Sequence, residues 1–368
     1  MIPFHNCSRA EQRLYDMAAR QGIPFHGSFE LTPLCTMDCS MCFVRLSKEE
    51  QEARGKLLSV EEWLGLAEQL KAAGTLFLLL TGGEPLLYPG FRELYLALRK
   101  MGFILMLNSN ATLIDEGWAD FLALNPPRRV NITLYGADAE DYGAVCGNAA
   151  GFEKAVCGIR LLKEHGVPVK LSGSLVEDNL ASLEEYLALC EELELPVMTE
   201  TYMMPACRER SRPFPLEKRL GPAEYAQAKL RLLSTIRAPE YVGEDIHGML
   251  AKVEQDRNTS DGLFGFTCKA GSCSFAINWQ GMMRPCVLLR SPEIDVMKEG
   301  FLPAWERMRA LCAKVRCDPK CSFCAYRSIC PTCPAAEQAE NGVFGKAPEY
   351  MCQCMEEYAK RLREYAEL

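Results

Sequence analysis

The stretch Cys35-Thr36-Met37-Asp38-Cys39-Ser40-Met41-Cys42 constrains this chain more than any other, with three cysteines inside eight positions. Thiols spaced by three and then two residues converge on one metal centre. A closed structural site takes four protein ligands, and no fourth follows at matching spacing. One metal position is therefore left open for a substrate or cofactor. The competing reading is a tight turn with chance cysteines, or half of a zinc site.

Composition narrows the setting. The chain has 368 residues, 48% hydrophobic and 24% charged, enough for a full domain and a smaller one. Its net charge is −8 with no long basic run, which argues against nucleic acid as a partner. The longest apolar runs, 76–80 and 103–107, have strand length and fall far short of a membrane span. The first nine residues lack a basic segment followed by an apolar one, so no signal peptide is expected and the chain reads as cytoplasmic. Nineteen cysteines would be out of place there as disulfides; their clustering points to metal and to an anaerobic or oxygen-protected host.

A short helix is expected at 9–20, followed by an extended lead-in to residue 27. Strands are then expected at 29–34, 76–80, 103–107, 130–134, 167–171 and 197–202. Helices fall between them at about 59–74, 89–102, 114–124, 152–165 and 180–193, with another at 223–236. Ser59 and Glu62 form a capping box, and the unbroken apolar strands suit a buried parallel sheet. Six strand–helix units predict an α/β fold, a partial (β/α)6 TIM-like barrel with an open side, whose chemistry sits at the carboxyl ends of the strands. The expected division is a lead-in (1–27), the barrel (28–215), a connecting helical segment (216–265) and a cysteine-rich domain ending in a helix (266–368). His5, His26 and Cys7 have no partner spacing. Cys146, Cys157, Cys190, Cys207 and Cys312 read as small buried hydrophobes.

The second strand runs into Thr81-Gly82-Gly83-Glu84-Pro85, where two glycines admit close backbone approach and a carboxylate follows. Together, the three-cysteine loop and this turn resemble the signature of the radical S-adenosylmethionine (SAM) enzymes. The resemblance implies that Cys35, Cys39 and Cys42 hold a [4Fe–4S] cluster whose open iron is chelated by SAM. It implies further that Gly82, Gly83 and Glu84 bind the SAM amino group and that Phe43 lies near the adenine. Asn108, in the Asn108-Ser109-Asn110 strand end, Thr133 and Ser172 are softer candidates for SAM contacts, each with a satisfied core polar group as the alternative; Ser174 shares the end of that fifth strand. The arginine that some relatives place near Cys146 is not visible.

From Cys268 onward, eleven cysteines follow, including Cys321-x2-Cys324-x5-Cys330-x2-Cys333 and the pair Cys352 and Cys354. This pattern resembles the SPASM extension of peptide and protein maturases, although relatives have three residues where two separate Cys330 from Cys333. The resemblance implies two auxiliary [4Fe–4S] clusters, one on Cys268, Cys273, Cys286 and Cys333, the other on Cys321, Cys324, Cys330 and Cys352, with Cys354 as the alternate. Cys317-x3-Cys321-x2-Cys324 repeats the first motif without a barrel context and reads as coincidence. Four-cysteine sets also suit zinc, so structural zinc stays open for this region.

The expected chemistry is reductive cleavage of SAM to a 5′-deoxyadenosyl radical and oxidative modification of a peptide or protein: a crosslink, thioether or dehydrogenation, with auxiliary clusters as electron acceptors. An enzyme of small-molecule or cofactor biosynthesis would share these motifs; a non-catalytic iron–sulfur or zinc protein would not need Gly82-Gly83-Glu84-Pro85. Only 34 residues precede Cys35, so a separate leader-binding protein or the open barrel face is expected to recognise the substrate. A flavodoxin or ferredoxin is the expected reductant. Val287 stands where sulfatase-maturating relatives carry an aspartate base, so formylglycine formation is not expected and the catalytic base is unassigned.

Overall fold

Six short strands become a parallel sheet because their backbones satisfy one another while an apolar face packs under the helices. The computed structural model describes residues 8–206, 208–210, 212–236, 239–257, 259 and 265–367. His5, Cys7 and Cys207 lie outside them. Helix α1 (Arg9–Gln21) precedes β1 (His26–Glu30). Then come α2 (Lys48–Arg54), α3 (Val60–Ala72), β2 (Phe77–Thr81), α4 (Phe91–Lys100), β3 (Ile104–Ser109), α5 (Glu116–Leu124) and β4 (Arg129–Thr133). Helices α6 (Ala139–Cys146) and α7 (Gly151–Glu164) lead to β5 (Val169–Ser174); α8 (Glu177–Leu180) and α9 (Leu183–Glu192) lead to β6 (Val197–Glu200). After α10 (Pro222–Ile236) and α11 (Pro239–Arg257) come β7 (Ser274–Ile277), β8 (Met282–Arg284), β9 (Ile294–Asp295), α12 (Val296–Glu299), α13 (Phe301–Cys312), α14 (Pro334–Asn341) and α15 (Glu349–Ala366).

The sheet order is β6-β5-β4-β3-β2-β1-β7-β8-β9, an open part-barrel. Strand β7 pairs parallel with β1, His26 facing Ser274, and β8 and β9 follow antiparallel. The cysteine-rich region thus continues the barrel sheet. Its core includes Trp279, Phe301, Trp305 and Met308, all essentially buried, with Phe275 against Phe301 at 4.9 Å.

Side chains alternate along each strand. Phe29, Leu78, Leu80, Leu105, Leu107, Val130, Ile132 and Leu171 join the large core under the helices, Phe29 meeting Trp63 of α3 at 4.4 Å. The opposite face carries Ser28, Glu30, Thr81, Asn108, Asn131, Thr133 and Ser172, which keep company in register. At the amino ends of the strands, α1 forms a plug. Tyr15 packs on Phe25 at 5.1 Å and Phe77 at 5.7 Å, and its hydroxyl meets His26 Nδ1 at 2.8 Å. Arg128 pairs with Glu11, and Lys269 with Asp16 at 2.6 Å.

Burial beside Tyr15 lowers the His26 pKa to about 4, from about 6.5 in an open chain. Between those values the unfolded chain binds more protons, so stability is lost as pH falls. Moving from pH 7.5 to 5.5 is expected to destabilise the native chain by about 1 kcal/mol more than a His26→Asn variant. Denaturant titrations in which both proteins lose the same stability between the two pH values would exclude this.

Several boundaries differ from the sequence expectation. The first strand starts three residues earlier and ends at Glu30, because Pro33 has no N–H for a ladder and Thr32 Oγ1 turns back to accept from Leu34 N. Helix α2, capped by a reciprocal Ser47–Glu50 box, and α6, capped by Asp138, were not expected. The connecting segment contains α10 and the 19-residue helix α11, with Pro239 at the start of α11, where the missing N–H costs nothing. No described helix is long and apolar enough to cross a membrane.

Candidate active site

The cysteine loop leaves β1 at the carboxyl edge of the sheet and is tied down on three sides by its own backbone. Asp38 N donates to Cys146 O at 2.8 Å and Ser40 N to Val145 O at 3.0 Å, fixing the loop to the end of α6. Glu209 N and Arg210 N both donate to Phe43 O, at 3.0 and 3.1 Å. Arg210 Nη1 reaches Cys39 O at 2.9 Å while Nη2 reaches Asp38 Oδ1 at 2.6 Å. From β3, Asn110 Nδ2 donates to Thr36 Oγ1 at 3.0 Å and approaches Cys35 Sγ at 3.5 Å.

These contacts gather Cys35, Cys39 and Cys42 in a half-buried pocket of sulfur. Burial pushes the Cys35 thiol up to about 12, with Cys39 and Cys42 among the neighbours that add to the rise. Cys39 is raised first by its hydrogen bond with the Cys146 thiol and then by burial; Cys42 is raised by burial. Such thiols surrender their protons to a metal and not to water. Backbone N–H groups already face the sulfurs, Arg45 N to Cys42 Sγ at 3.2 Å and Met37 N to Cys35 Sγ at 3.5 Å. An all-thiolate set with N–H donors on sulfur fits an iron–sulfur cluster.

The glycine pair has a specific steric cause. Gly83 N donates to Thr32 O at 2.7 Å and Glu84 N to Leu34 O at 2.8 Å, so the turn lies directly on the start of the cysteine loop. A Cβ at Gly82 would sit 2.4 Å from Thr32 O, and one at Gly83 2.3 Å from Leu34 O; Gly82 also has φ +138°. Gly83→Ala should therefore displace the loop, lowering bound iron by about four atoms per chain with the circular dichroism spectrum intact. Full iron content in that variant would show that the loop tolerates the displacement.

Glu84 is fully buried, and burial lifts its pKa to about 7 against the hydrogen bonds it accepts. Those come from Leu86 N (3.2 Å), Ser109 Oγ (3.0 and 3.1 Å) and Asn110 N (2.8 Å), which join the ends of β2 and β3. Asn108 lies in a row with Thr81 and Asn131, accepting from Asn131 Nδ2 at 2.7 Å. Thr133 and Ser172 are register partners, and Phe43 lies 5.2 Å under the Arg208 guanidinium.

Arg208 was missed in sequence, as were its neighbours. Its side chain is 1% exposed and grips Glu30, Nη1 to Oε1 at 2.9 Å and Nη2 to Oε2 at 2.8 Å. Nη1 also reaches Val287 O at 2.9 Å, next to Cys286. Buried Glu209 accepts from Asn278 Nδ2 at 2.8 Å, and Arg284 follows at 3.7 Å. The charged run Arg208-Glu209-Arg210, in the segment after β6, was the available signal.

In the C-terminal region, burial raises Cys321, to about 12, and Cys330 and Cys352, and Cys324 lies close enough to the last two to add to their rise. Cys354 is buried beside Tyr350, in the core of α15. Cys268, Cys286 and Cys333 form a second group, with burial carrying Cys286 to about 11. Cys273 sits in the plug, its thiol donating to Tyr15 O at 3.7 Å, though Cys268 is near it. Cys317 stands between the groups; its thiol donates to Gly265 O at 3.7 Å and is pushed to about 12, chiefly by burial. Cys157, expected to be buried, is exposed because it lies on the outer face of α7. Among the described residues no three His, Cys, Asp or Glu side chains converge tightly enough to hold a single ion.

Residues 29–190 match the family described as the radical SAM superfamily. The AdoMet-dependent heme synthase of Methanosarcina barkeri is 24% identical over 354 residues, 91% of this chain and 98% of the relative. The protein of the same name from Nitratidesulfovibrio vulgaris is 24% identical over 352 residues, 89% and 94%. Among solved structures, Streptococcus suis SuiB bound to the precursor peptide SuiA has a TM-score of 0.67 at 15% identity, covering 93% of this chain and 79% of that one. Native anSMEcpe with bound AdoMet has a TM-score of 0.66 at 19% identity, covering 94% and 99%. At such identities the likeness is one of fold. Taken with the family match and the thiol pocket at the end of β1, it supports a radical SAM domain at residues 29–190 followed by a C-terminal domain, for which the family implies a [4Fe–4S] cluster and SAM.

Proposed function

We propose that this enzyme oxidatively modifies a peptide or protein segment, with Cys35, Cys39 and Cys42 holding the SAM cluster and the C-terminal cysteines holding two auxiliary [4Fe–4S] clusters. Bound at the thiol pocket, cluster and SAM supply a 5′-deoxyadenosyl radical that can take an unactivated hydrogen atom. The chain's part is to place and shield the reactants. Arg210 and the carbonyls of 145 and 146 hold the cysteine loop, and Glu84 fixes the two strand ends beside it. Phe43 and the Thr81–Asn108–Asn131 row offer an apolar and a polar wall for SAM, with Thr133 and Ser172 beyond.

One observation carries the oxidative reading. A single buried cation, Arg208, touches Phe43 of the radical loop and the carbonyl following Cys286. An electron left on an oxidised substrate thus has an acceptor across one side chain. The peptide reading is supported by the fold shared with SuiB and by the described histidines. His26 lies under the plug, His165 beside Glu116 and Asp120, and His247 on α11, so none stands at the strand ends to ligate an iron tetrapyrrole. A second reading, a tetrapyrrole or other small-molecule substrate, is favoured by the name and near-full coverage of the two curated relatives.

The test is anaerobic iron and sulfide analysis with dithionite-driven 5′-deoxyadenosine formation. About twelve irons per chain and deoxyadenosine are expected; about four would leave a radical enzyme without auxiliary clusters. Loss of two hydrogens from short peptides encoded beside the gene would support a peptide substrate, whereas a shifted Soret band with an iron tetrapyrrole would favour the second reading.

A further inference from the structure

Where α6, α8 and α9 meet the carboxyl ends of β4, β5 and β6, the chain encloses a cavity of about 10 Å³. That is room for a single atom or water and too little for an organic ligand. Three buried side-chain oxygens in its wall, Asp141 Oδ2, Tyr186 OH and Thr199 Oγ1, meet no partner in hydrogen-bond geometry. Tyr186 is 4% exposed, with Thr199 and the Cys190 thiol among its polar neighbours. Ser174 and Ser182 add two hydroxyl-bearing residues to the wall. Asn179, the amide there, is spent elsewhere: Nδ2 donates to Tyr135 O at 2.7 Å and Ser174 O at 2.9 Å, and Oδ1 accepts from Val176 N at 2.9 Å. Among the described residues no Lys, Arg or His lines the cavity. Two glycines let the oxygens gather. A Cβ at Gly173 would stand 2.5 Å from Tyr186 OH and 3.0 Å from Thr199 Oγ1, and one at Gly136 2.8 Å from Asp141 Cβ.

We infer that Asp141, Tyr186 and Thr199 bind one hard monovalent cation of sodium's size between α6 and the β5–β6 strand ends. The wall presents oxygens and a single carboxylate, which suits a hard ion of charge one. Calcium or magnesium would call for more carboxylates, or for a shell of waters that has no room here. A water would satisfy the hydroxyls but leave the buried carboxylate oxygen without a counter-charge. Asp138, whose Oδ1 accepts from Asp141 N at 2.9 Å, and exposed Glu140 add to the negative charge at the start of α6, which the helix amino end offsets only in part. The ion ties this start to α9 and β6. The far end of α6 supplies the carbonyls of 145 and 146 that hold the cysteine loop, so sodium should steady the fold around that loop.

Anaerobic thermal unfolding of the iron-loaded enzyme in sodium, potassium and choline chloride, at equal ionic strength, tests this. The midpoint should rise with sodium and saturate, rise less with potassium, and stay level in choline. Equilibrium dialysis with radiosodium should show a single sodium bound per chain. Asp141→Asn keeps the shape without the charge and should weaken sodium at least about tenfold. Y186F/T199V removes both hydroxyls, keeps the carboxylate, and should weaken it as well, so the assignment does not hang on one variant folding. E140Q, on the exposed side of the same helix turn, should bind sodium as the wild type does. Equal midpoints in sodium and choline, or wild-type sodium affinity in Asp141→Asn, overturn the cation site and leave a bound water there. Equal weakening by E140Q and Asp141→Asn overturns it too, reducing the effect to general charge at the helix start. A larger response to potassium than to sodium overturns the size assignment.

Discussion

Cys39→Ala is expected to lower 5′-deoxyadenosine formation to the uncatalysed background, a loss of at least about a thousandfold. Cys39 is the middle thiol of the set, and its loop is clamped between the end of α6 and Arg210, so no neighbouring group can swing in without breaking that clamp. Among the described residues, Cys146 is the other thiol at hand, and it is buried in the hydrogen bond with Cys39. Iron should fall by about four atoms per chain, with the C-terminal iron retained. Sustained deoxyadenosine formation would move the SAM cluster elsewhere. The double variant C39A/C146A separates the remaining case, since recovery of activity by Cys146 alone would vanish in it.

Arg208→Met should destabilise the fold by about 3–5 kcal/mol. Methionine keeps much of the length but leaves Glu30, 3% exposed, as a buried carboxylate without its cation. Removing the charge as well, in E30Q/R208M, should recover a large part of the loss, a coupling that a packing defect alone would not give. Arg208→Lys should fall between, since an ammonium cannot grip both carboxylate oxygens and Val287 O together. Anaerobic denaturant titration of the four proteins decides it. A loss below about 1 kcal/mol in R208M would mean that water reaches Glu30.

Strands β2 and β3 were readable because each holds a short apolar run, and α3 because Ser59 caps it where the pattern starts. The three-cysteine loop and the glycine turn were readable because spacing alone fixes them. What escaped depends on distance along the chain. Nothing local in residues 274–277 says that they will pair with β1, since parallel pairing carries no turn signature. Arg208, Glu209 and Arg210 look like a solvated loop until Glu30, Asn278 and Phe43 are brought to them from three other segments. The glycine pair was legible as a motif, but its steric cause, the carbonyls of Thr32 and Leu34, was not. Cys157 was misplaced because thiol spacing says nothing about which side of a helix it occupies.

The pairing of β1 with β7 also sets an order of events in the cell. Strand β1 emerges from the ribosome roughly 250 residues before its partner, on the order of 10–50 s at ordinary rates of synthesis. Through that interval one edge of the nascent sheet has no neighbour, and the loop that follows it is not yet covered by the segment carrying Arg208 and Arg210. The three thiols therefore stay accessible to whatever delivers iron and sulfide until the segment carrying Arg208 and Arg210, just past the middle of the chain, arrives and closes over them.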